Sequence, residues 1–214
     1  MSTSDGVGAR VVQTAGPVLI IGSGLLGASL GLALRAGGVR VYLEDASPTS
    51  LRLASDVGAG QAFGDVLAEA GVRPSDCGSD TPSYKAPSVV VVATPPDVAD
   101  RVIVESLLRF PDAIVTDVAS VKDAVVADVL RGLEREDCLE AASRYVGSHP
   151  MAGRERSGAG AADADLFYGR PWVIVAHETT WPRAVLVTRA LATDVGAVPL
   201  EMNAGTHAHA VALV

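Results

Sequence analysis

Four short stretches of this 214-residue sequence carry residues suited to chemistry more than to packing. The first is GSGLLG, residues 22–27. Gly22, Gly24 and Gly27 fit the pattern G-x-G-x-x-G. The first glycine permits a tight turn, the second lets the backbone approach a pyrophosphate, and the third allows close helix–strand packing. A pyrophosphate at that place meets the free N–H groups and the positive dipole end of a helix. Leu25 and Leu26 fill the variable positions and belong to the same predicted cofactor site. Gly-rich turns are common, so the pattern gains its force from context: an apolar strand precedes it and a helix follows. An acid that binds the adenosine ribose is expected about 20 residues further on. Glu44 and Asp45 are the candidates, and Asp45 is the better one because the alternating run that starts at Val39 ends there. A carboxylate at that position repels a 2′-phosphate, and no Arg or Lys follows before Arg52, so NAD is favoured over NADP. The competing reading of Asp45 is a solvated loop acid.

The other three stretches follow later strands. ATPPD (93–97) offers Thr94 and a rigid double-proline turn beginning at Pro95, beside the expected nicotinamide position. A plain proline-closed strand end explains Thr94 nearly as well. DVASVK (117–122) puts Ser120 and Lys122 at the start of a helix. Ser120 is equally well read as an N-cap, and Lys122 as a solvated helix residue. GSHPMAG (147–153) carries His149 between Ser and Pro, with Arg154 and Arg156 close behind. An imidazole, with an ordinary pKa of about 6.5, can take a proton from a hydroxyl as hydride leaves the same carbon. A lone His is more often structural. The company of the glycine loop, Ser120 and two arginines favours catalysis for His149, with Lys122, Arg154 and Arg156 as candidate contacts to an anionic substrate. His177 sits in a polar turn. His207 and His209 are two apart and do not share a helix face. No metal site is expected.

These loops need elements to hold them. Strand-like runs at 18–22, 39–45, 88–96, 113–120, 170–176 and 197–202 alternate with helix-like runs at 25–38, 47–58, 97–110, 121–134 and 182–196. Gly37 and Gly38 stop the first helix. Ser47 and Pro48 start the second, and Asp97 is read as the N-cap of the third. Continuous apolar strands alternating with helices predict an α/β fold: a Rossmann-type, doubly wound, mostly parallel sheet covered on both faces. In such a sheet the ligand lies beyond the carboxyl ends of the strands. Residues 71–87 read as a polar surface excursion, and 147–153 as a strand-end loop.

Composition sets the outer limits. Hydrophobic residues make up 49% and charged residues 20% of the chain, as in ordinary globular domains. The net charge of −8 argues against nucleic acid as a partner. Any anionic ligand must be held by local cations or helix N-termini against the global field. The apolar runs are strand-length, well short of the roughly 20 residues a membrane span needs. Residues 1–16 lack the pattern of a signal peptide and read as a flexible tail. Cys77 and Cys138 form neither a metal cluster nor a disulfide framework, so a cytoplasmic protein is expected.

Taken in order, GSGLLGAS (22–29), VVATPPD (91–97), TDVASVK (116–122), GSHPMAGRERSG (147–158) and DLFYGRPWVI (165–174) resemble the prephenate dehydrogenase family. The resemblance covers residues 17–214. It implies NAD(P)-dependent oxidation of prephenate with loss of carbon dioxide, giving 4-hydroxyphenylpyruvate on the route to tyrosine. It implies that His149 accepts the ring-hydroxyl proton, that Ser120 helps orient it, and that Gly22, Gly24, Gly27 and Asp45 hold the cofactor. Family members continue into an all-helical domain that forms a homodimer and supplies an Arg to the substrate. The apolar run 208–214 reads as the opening of a helix. The expected organisation is therefore a tail over 1–16, a dinucleotide-binding domain over 17–203, and the start of a truncated helical dimerisation domain over 204–214. The family's His-Asp near that junction reads His207–Ala208 here. Arogenate dehydrogenase shares the motifs, and an NAD-binding fragment without catalysis is the reading from a different class.

Overall fold

A computed structural model of the protein describes residues 12–152 and 158–203. Eight strands form one sheet: β1 (Val18–Ile21), β2 (Val41–Glu44), β3 (Gln61–Ala62), β4 (Val89–Val92), β5 (Ile114–Asp117), β6 (Tyr145–Pro150), β7 (Pro171–Ala176) and β8 (Val198–Asn203). Six helices connect or flank them: α1 (Leu25–Ala36), α2 (Pro48–Asp56), α3 (Phe63–Ala70), α4 (Pro96–Arg109), α5 (Lys122–Arg135) and α6 (Pro182–Asp194). The strand order is β3-β2-β1-β4-β5-β6-β7-β8. Pairing is parallel from β3 through β6, antiparallel between β6 and β7, and parallel again between β7 and β8. The first six strands follow the dinucleotide-fold order, which reverses direction between β1 and β4 and leaves a crevice there.

The apolar strands are explained by burial on both faces. Alternate residues of one strand enter two different cores. Val18, Ile20, Val89, Val91 and Ile174 pack with Leu30, Leu34, Ala184 and Leu191 of α1 and α6. Leu19, Val90, Val92 and Val115 pack with Phe63, Ile103, Leu107, Val129 and Leu133 of α3, α4 and α5. Each such Val, Leu, Ile or Phe side chain contributes about 1.5–3 kcal/mol on leaving water. Arg144 ties the far end of α4 into this packing: its guanidinium donates to the carbonyls of Leu107, Phe110 and Ala113 at 2.7, 2.9 and 3.1 Å.

Several expectations need correction. The cap of helix α4 lies two residues before the expected Asp97: Pro95 is the cap residue and Pro96 starts the helix. Asp97 lies in the first turn, where its charge suits the helix dipole. Residues 59–70, unassigned from sequence, supply the short edge strand β3 and α3. The excursion at 71–87 is not wholly on the surface. Cys77 and Tyr84 are buried, the Tyr84 hydroxyl donates to the Cys77 carbonyl at 2.7 Å, and the ring stacks with Tyr42. The expected loop at 147–153 is strand as far as Pro150, because the antiparallel ladder pairs His149 with Val173. The expected tail is tied down over its last residues: Gln13 and Thr14 donate backbone N–H groups to the Asp194 carboxylate at 2.6–3.1 Å. Residues 1–11, 153–157 and 204–214, with the expected second-domain start, lie outside the described residues.

The connection from β6 to β7 leaves the sheet at the cofactor end. Its described part, from Gly158 onward, crosses to α1 and α2. The Asp163 N–H donates to the buried Ser29 hydroxyl of α1 at 3.0 Å, and Phe167 returns to pack its ring 5.2 Å from Trp172.

Candidate functional site

The glycine loop is built as its spacing requires. Gly22 has φ +104°, and a Cβ there would lie 2.5 Å from the Ala93 carbonyl oxygen. A Cβ on Gly27 would lie 1.9 Å from the Gly22 carbonyl oxygen. These two glycines are needed by the protein itself. Gly24 is different: a Cβ there would meet nothing within 4 Å. The open face of the loop is at Gly24, at the N-terminus of α1, where N–H groups lack intrahelical acceptors. Asp45 reaches back to this loop, accepting from the Ser23 N–H at 2.5 Å and from the Ser47 N–H at 2.7 Å. Its carboxylate thus joins the end of β2 to the turn after β1, and its remaining lone pairs suit sugar hydroxyls.

A cleft of about 790 Å³ opens over this loop. Seven of the eight predicted cofactor residues line it: Gly22, Gly24, Leu25, Leu26, Asp45, Thr94 and Pro95. Gly27 sits beneath, in helix packing. Thr94 is half-buried, and its buried hydroxyl has no hydrogen-bond partner among the described residues. A buried hydroxyl left unbonded is costly, and a polar group of a bound dinucleotide would relieve it. The donor set and the open backbone therefore fit a nicotinamide dinucleotide. A second concavity, of about 890 Å³, lies at the amino ends of the strands near Pro17, Arg40 and Ser88. It contains none of the predicted residues and lies at the end of the sheet where doubly wound folds do not bind ligands.

The predicted substrate side lies on neighbouring strands. Ser120 is exposed in the turn between β5 and α5. It is not the N-cap: Val121 holds that position, with no side-chain cap. His149 is half-buried on β6, which pairs with β5. Beneath them runs a network that sequence reasoning missed. The Ser148 hydroxyl donates to the Asp117 carbonyl at 2.6 Å and accepts from Thr116 at 3.2 Å. The Asp117 carboxylate accepts from the Ala119 N–H at 2.8 Å, from the Tyr145 hydroxyl at 2.7 Å, and from the Lys122 ammonium. Asp117 and Lys122 have fully buried side chains.

The prediction of Lys122 as a substrate contact is therefore corrected. Its ammonium is enclosed with Asp117 and does not face the solvent side of the turn. Burial pulls its pKa below the ordinary lysine range, and Asp117 pulls it back up. Burial, reinforced by Asp117, pushes the Tyr145 phenol well above its usual value. Gly147 makes room for this arrangement, since a Cβ there would lie 3.3 Å from the Lys122 side chain. The sequence held one signal, an Asp ending an apolar strand five residues before a Lys. Arg154 and Arg156 lie outside the described residues, as do His207 and His209. His177 is structural, with Nε2 3.1 Å from the Ala142 carbonyl. Among the described residues no cluster of His, Cys, Asp or Glu could hold a metal.

Residues 30–201 match the family model for the nucleotide-binding domain of prephenate dehydrogenase. A probable prephenate dehydrogenase of Streptomyces niveus, NovF, is 37% identical over 195 residues, which is 91% of this chain and 47% of that protein. The prephenate dehydrogenase of Bacillus subtilis is 27% identical over 89% of this chain and 47% of its own length. The chain thus spans about half the length of these curated relatives. Among solved structures, an A. aeolicus prephenate dehydrogenase in complex with hydroxyphenyl propionate and NAD+ superposes with a TM-score of 0.72 at 26% identity, over 90% of this chain and 62% of the other. A Synechocystis arogenate dehydrogenase shares the fold, with a TM-score of 0.72 at 24% identity, over 91% of this chain and 62% of the other.

Proposed function

The chain belongs to the prephenate dehydrogenase family through its nucleotide-binding domain, and on that premise we propose that it binds NAD and serves the oxidative decarboxylation of prephenate to 4-hydroxyphenylpyruvate. The observation that carries this reading is the placement of two half-sites on one sheet. The open Gly24 loop and Asp45 clamp lie at β1 and β2, and Ser120 and His149 lie at the carboxyl ends of β5 and β6.

Gly22, Gly24, Leu25, Leu26, Asp45, Thr94 and Pro95 hold the dinucleotide, with Gly27 packing the helix beneath. NAD supplies the acceptor for the hydride lost from the hydroxyl-bearing ring carbon. His149 takes the hydroxyl proton as the carbonyl would form, and Ser120 orients the hydroxyl toward it. The ring carboxylate departs as carbon dioxide, leaving its electron pair to the ring, and aromatisation drives the step. The buried Asp117–Lys122–Tyr145 network keeps the β5 and β6 ends in fixed relation. Arg154 and Arg156 remain proposed contacts to the substrate's carboxylates.

The test is prephenate-dependent NADH formation with His149→Asn beside the parent. His149→Asn should lower kcat by roughly 10²–10⁴ while leaving NAD affinity unchanged. A variant as active as the parent removes His149 from the reaction. Arogenate in the same assay decides between the two family substrates. NAD binding with no turnover of either substrate, even when the family's helical domain is supplied, supports a binding module in place of an enzyme. Family membership also carries the proposal that the protein acts as a homodimer in the cytoplasm. No helix among the described residues is long and apolar enough to cross a membrane.

A further inference from the structure

The adenosine end of the cleft contains a cation that no nearby stretch of sequence announces. Arg109, the last residue of α4, lines the cleft beside Glu44 and Asp45. Its Nη1 donates to both oxygens of Glu44, at 2.9 and 3.0 Å, and its Nε donates to the Cys77 sulfur at 3.2 Å. The guanidinium carbon lies 5.2 Å from the Phe63 ring centroid and 5.0 Å from that of Phe110. A guanidinium held on two aromatic faces and by a carboxylate is fixed in orientation. The two charged side chains keep 22% and 36% of their surface exposed, so both still face the cleft.

An arginine near the acid that ends the second strand is the device with which NADP sites receive a 2′-phosphate. Here the arginine is present, and its charge is committed to Glu44. We propose that the Glu44–Arg109 pair sets cofactor selectivity: Glu44 sequesters a cation placed to accept a 2′-phosphate and so excludes 2′-phosphorylated dinucleotides. With the pair closed, Glu44, Asp45 and Arg109 together present one net negative charge to the ribose. With Glu44 neutralised, the trio is balanced and the guanidinium fork is available for bidentate phosphate contact. The inference rests on the dinucleotide reading of the cleft.

Calorimetric titration of the 214-residue chain with NAD and with NADP tests it. Glu44→Gln should raise the affinity for NADP relative to NAD by roughly tenfold or more, the size of one charge-assisted hydrogen bond. Glu44→Ser, which releases the same cation without leaving an amide on it, should shift the ratio in the same direction. In Glu44→Gln/Arg109→Met the ratio should return to within about twofold of the parent. An unmoved ratio in both single variants overturns the proposal. So does a double variant that keeps the gain, since the loss of one repulsive charge would then suffice. A parent chain that binds neither dinucleotide removes the cleft reading itself, whereas NAD binding with an unmoved ratio removes only the role of this pair.

Discussion

The three glycines of one motif have separable functions. Gly27 is fixed by packing, since any Cβ there collides with the Gly22 carbonyl. Gly27→Ala should therefore cost about 3 kcal/mol or more in denaturant stability, because a backbone atom cannot move aside cheaply. Gly24 has φ −72°, which alanine adopts without strain, and open space around it. Gly24→Ala should leave stability within about 0.5 kcal/mol of the parent yet weaken NAD binding about tenfold, because the new methyl occupies the approach of the pyrophosphate. Equal losses of stability in the two variants would contradict this division. The buried pair under Ser120 gives a second residue-scale prediction. Lys122→Met strands the Asp117 charge and should destabilise by about 3–5 kcal/mol, whereas Lys122→Met/Asp117→Asn should recover much of that in urea unfolding. If the double variant is no more stable than the single, Asp117 and Lys122 are not a charge pair in solution.

Elements matter through where they end. The β7–α6 junction carries His177, whose pKa is held below the ordinary 6.5 by burial, with hydrogen bonds to the Ala142 and Tyr145 backbones pulling upward. The unfolded chain therefore takes up this proton first as the pH falls through about 6.5, and stability is lost below that pH and fully present above it. Urea midpoints at about pH 7.5 and pH 5.5 should differ more in the parent than in His177→Gln. Elements also show how far sequence reading reaches. The apolar runs of β1, β4 and β5 announce themselves because both faces are buried. Gly37 marks the end of α1 as expected. Strand β6 does not announce itself, since Gly147, Ser148 and Pro150 all look like loop residues. It is a strand because β7 pairs with it from the opposite direction, a long-range fact that no local propensity carries. Asp97 misled for a related reason: it sits where an N-cap belongs, but the preceding prolines had already set the backbone for the helix.

At the scale of the molecule, a net charge of −8 opposes the approach of any anion. Raising ionic strength from about 0.01 M to about 0.15 M shortens the screening length from about 30 Å to about 8 Å. The association rate of NAD, followed by stopped-flow fluorescence, should rise across that range. A rate that falls instead would show that cations near the cleft govern encounter. The expected cofactor loop was legible because Gly22 to Asp45 lie close in sequence and the glycines report backbone geometry, while Thr94 and Pro95 were found through their place at a strand end. Seven of the eight predicted cofactor residues meet at one cleft. The selectivity pair was not legible, because Glu44 and Arg109 are 65 residues apart and meet only through the packing of α4. Lys122 was misjudged for the complementary reason: it starts a helix as expected, but whether a lysine faces solvent or an internal acid is decided by neighbouring strands.

The connection between β6 and β7 fastens to Ser29 of α1 through the Asp163 N–H before returning as β7. The glycine-loop half is therefore not an interchangeable cassette. Its helix α1 presents a docking hydroxyl to a segment encoded more than a hundred residues later. A chimera that imports another dinucleotide-binding front end without that hydroxyl would inherit the cofactor motif and lose the anchor that fastens the segment around Asp163 to α1.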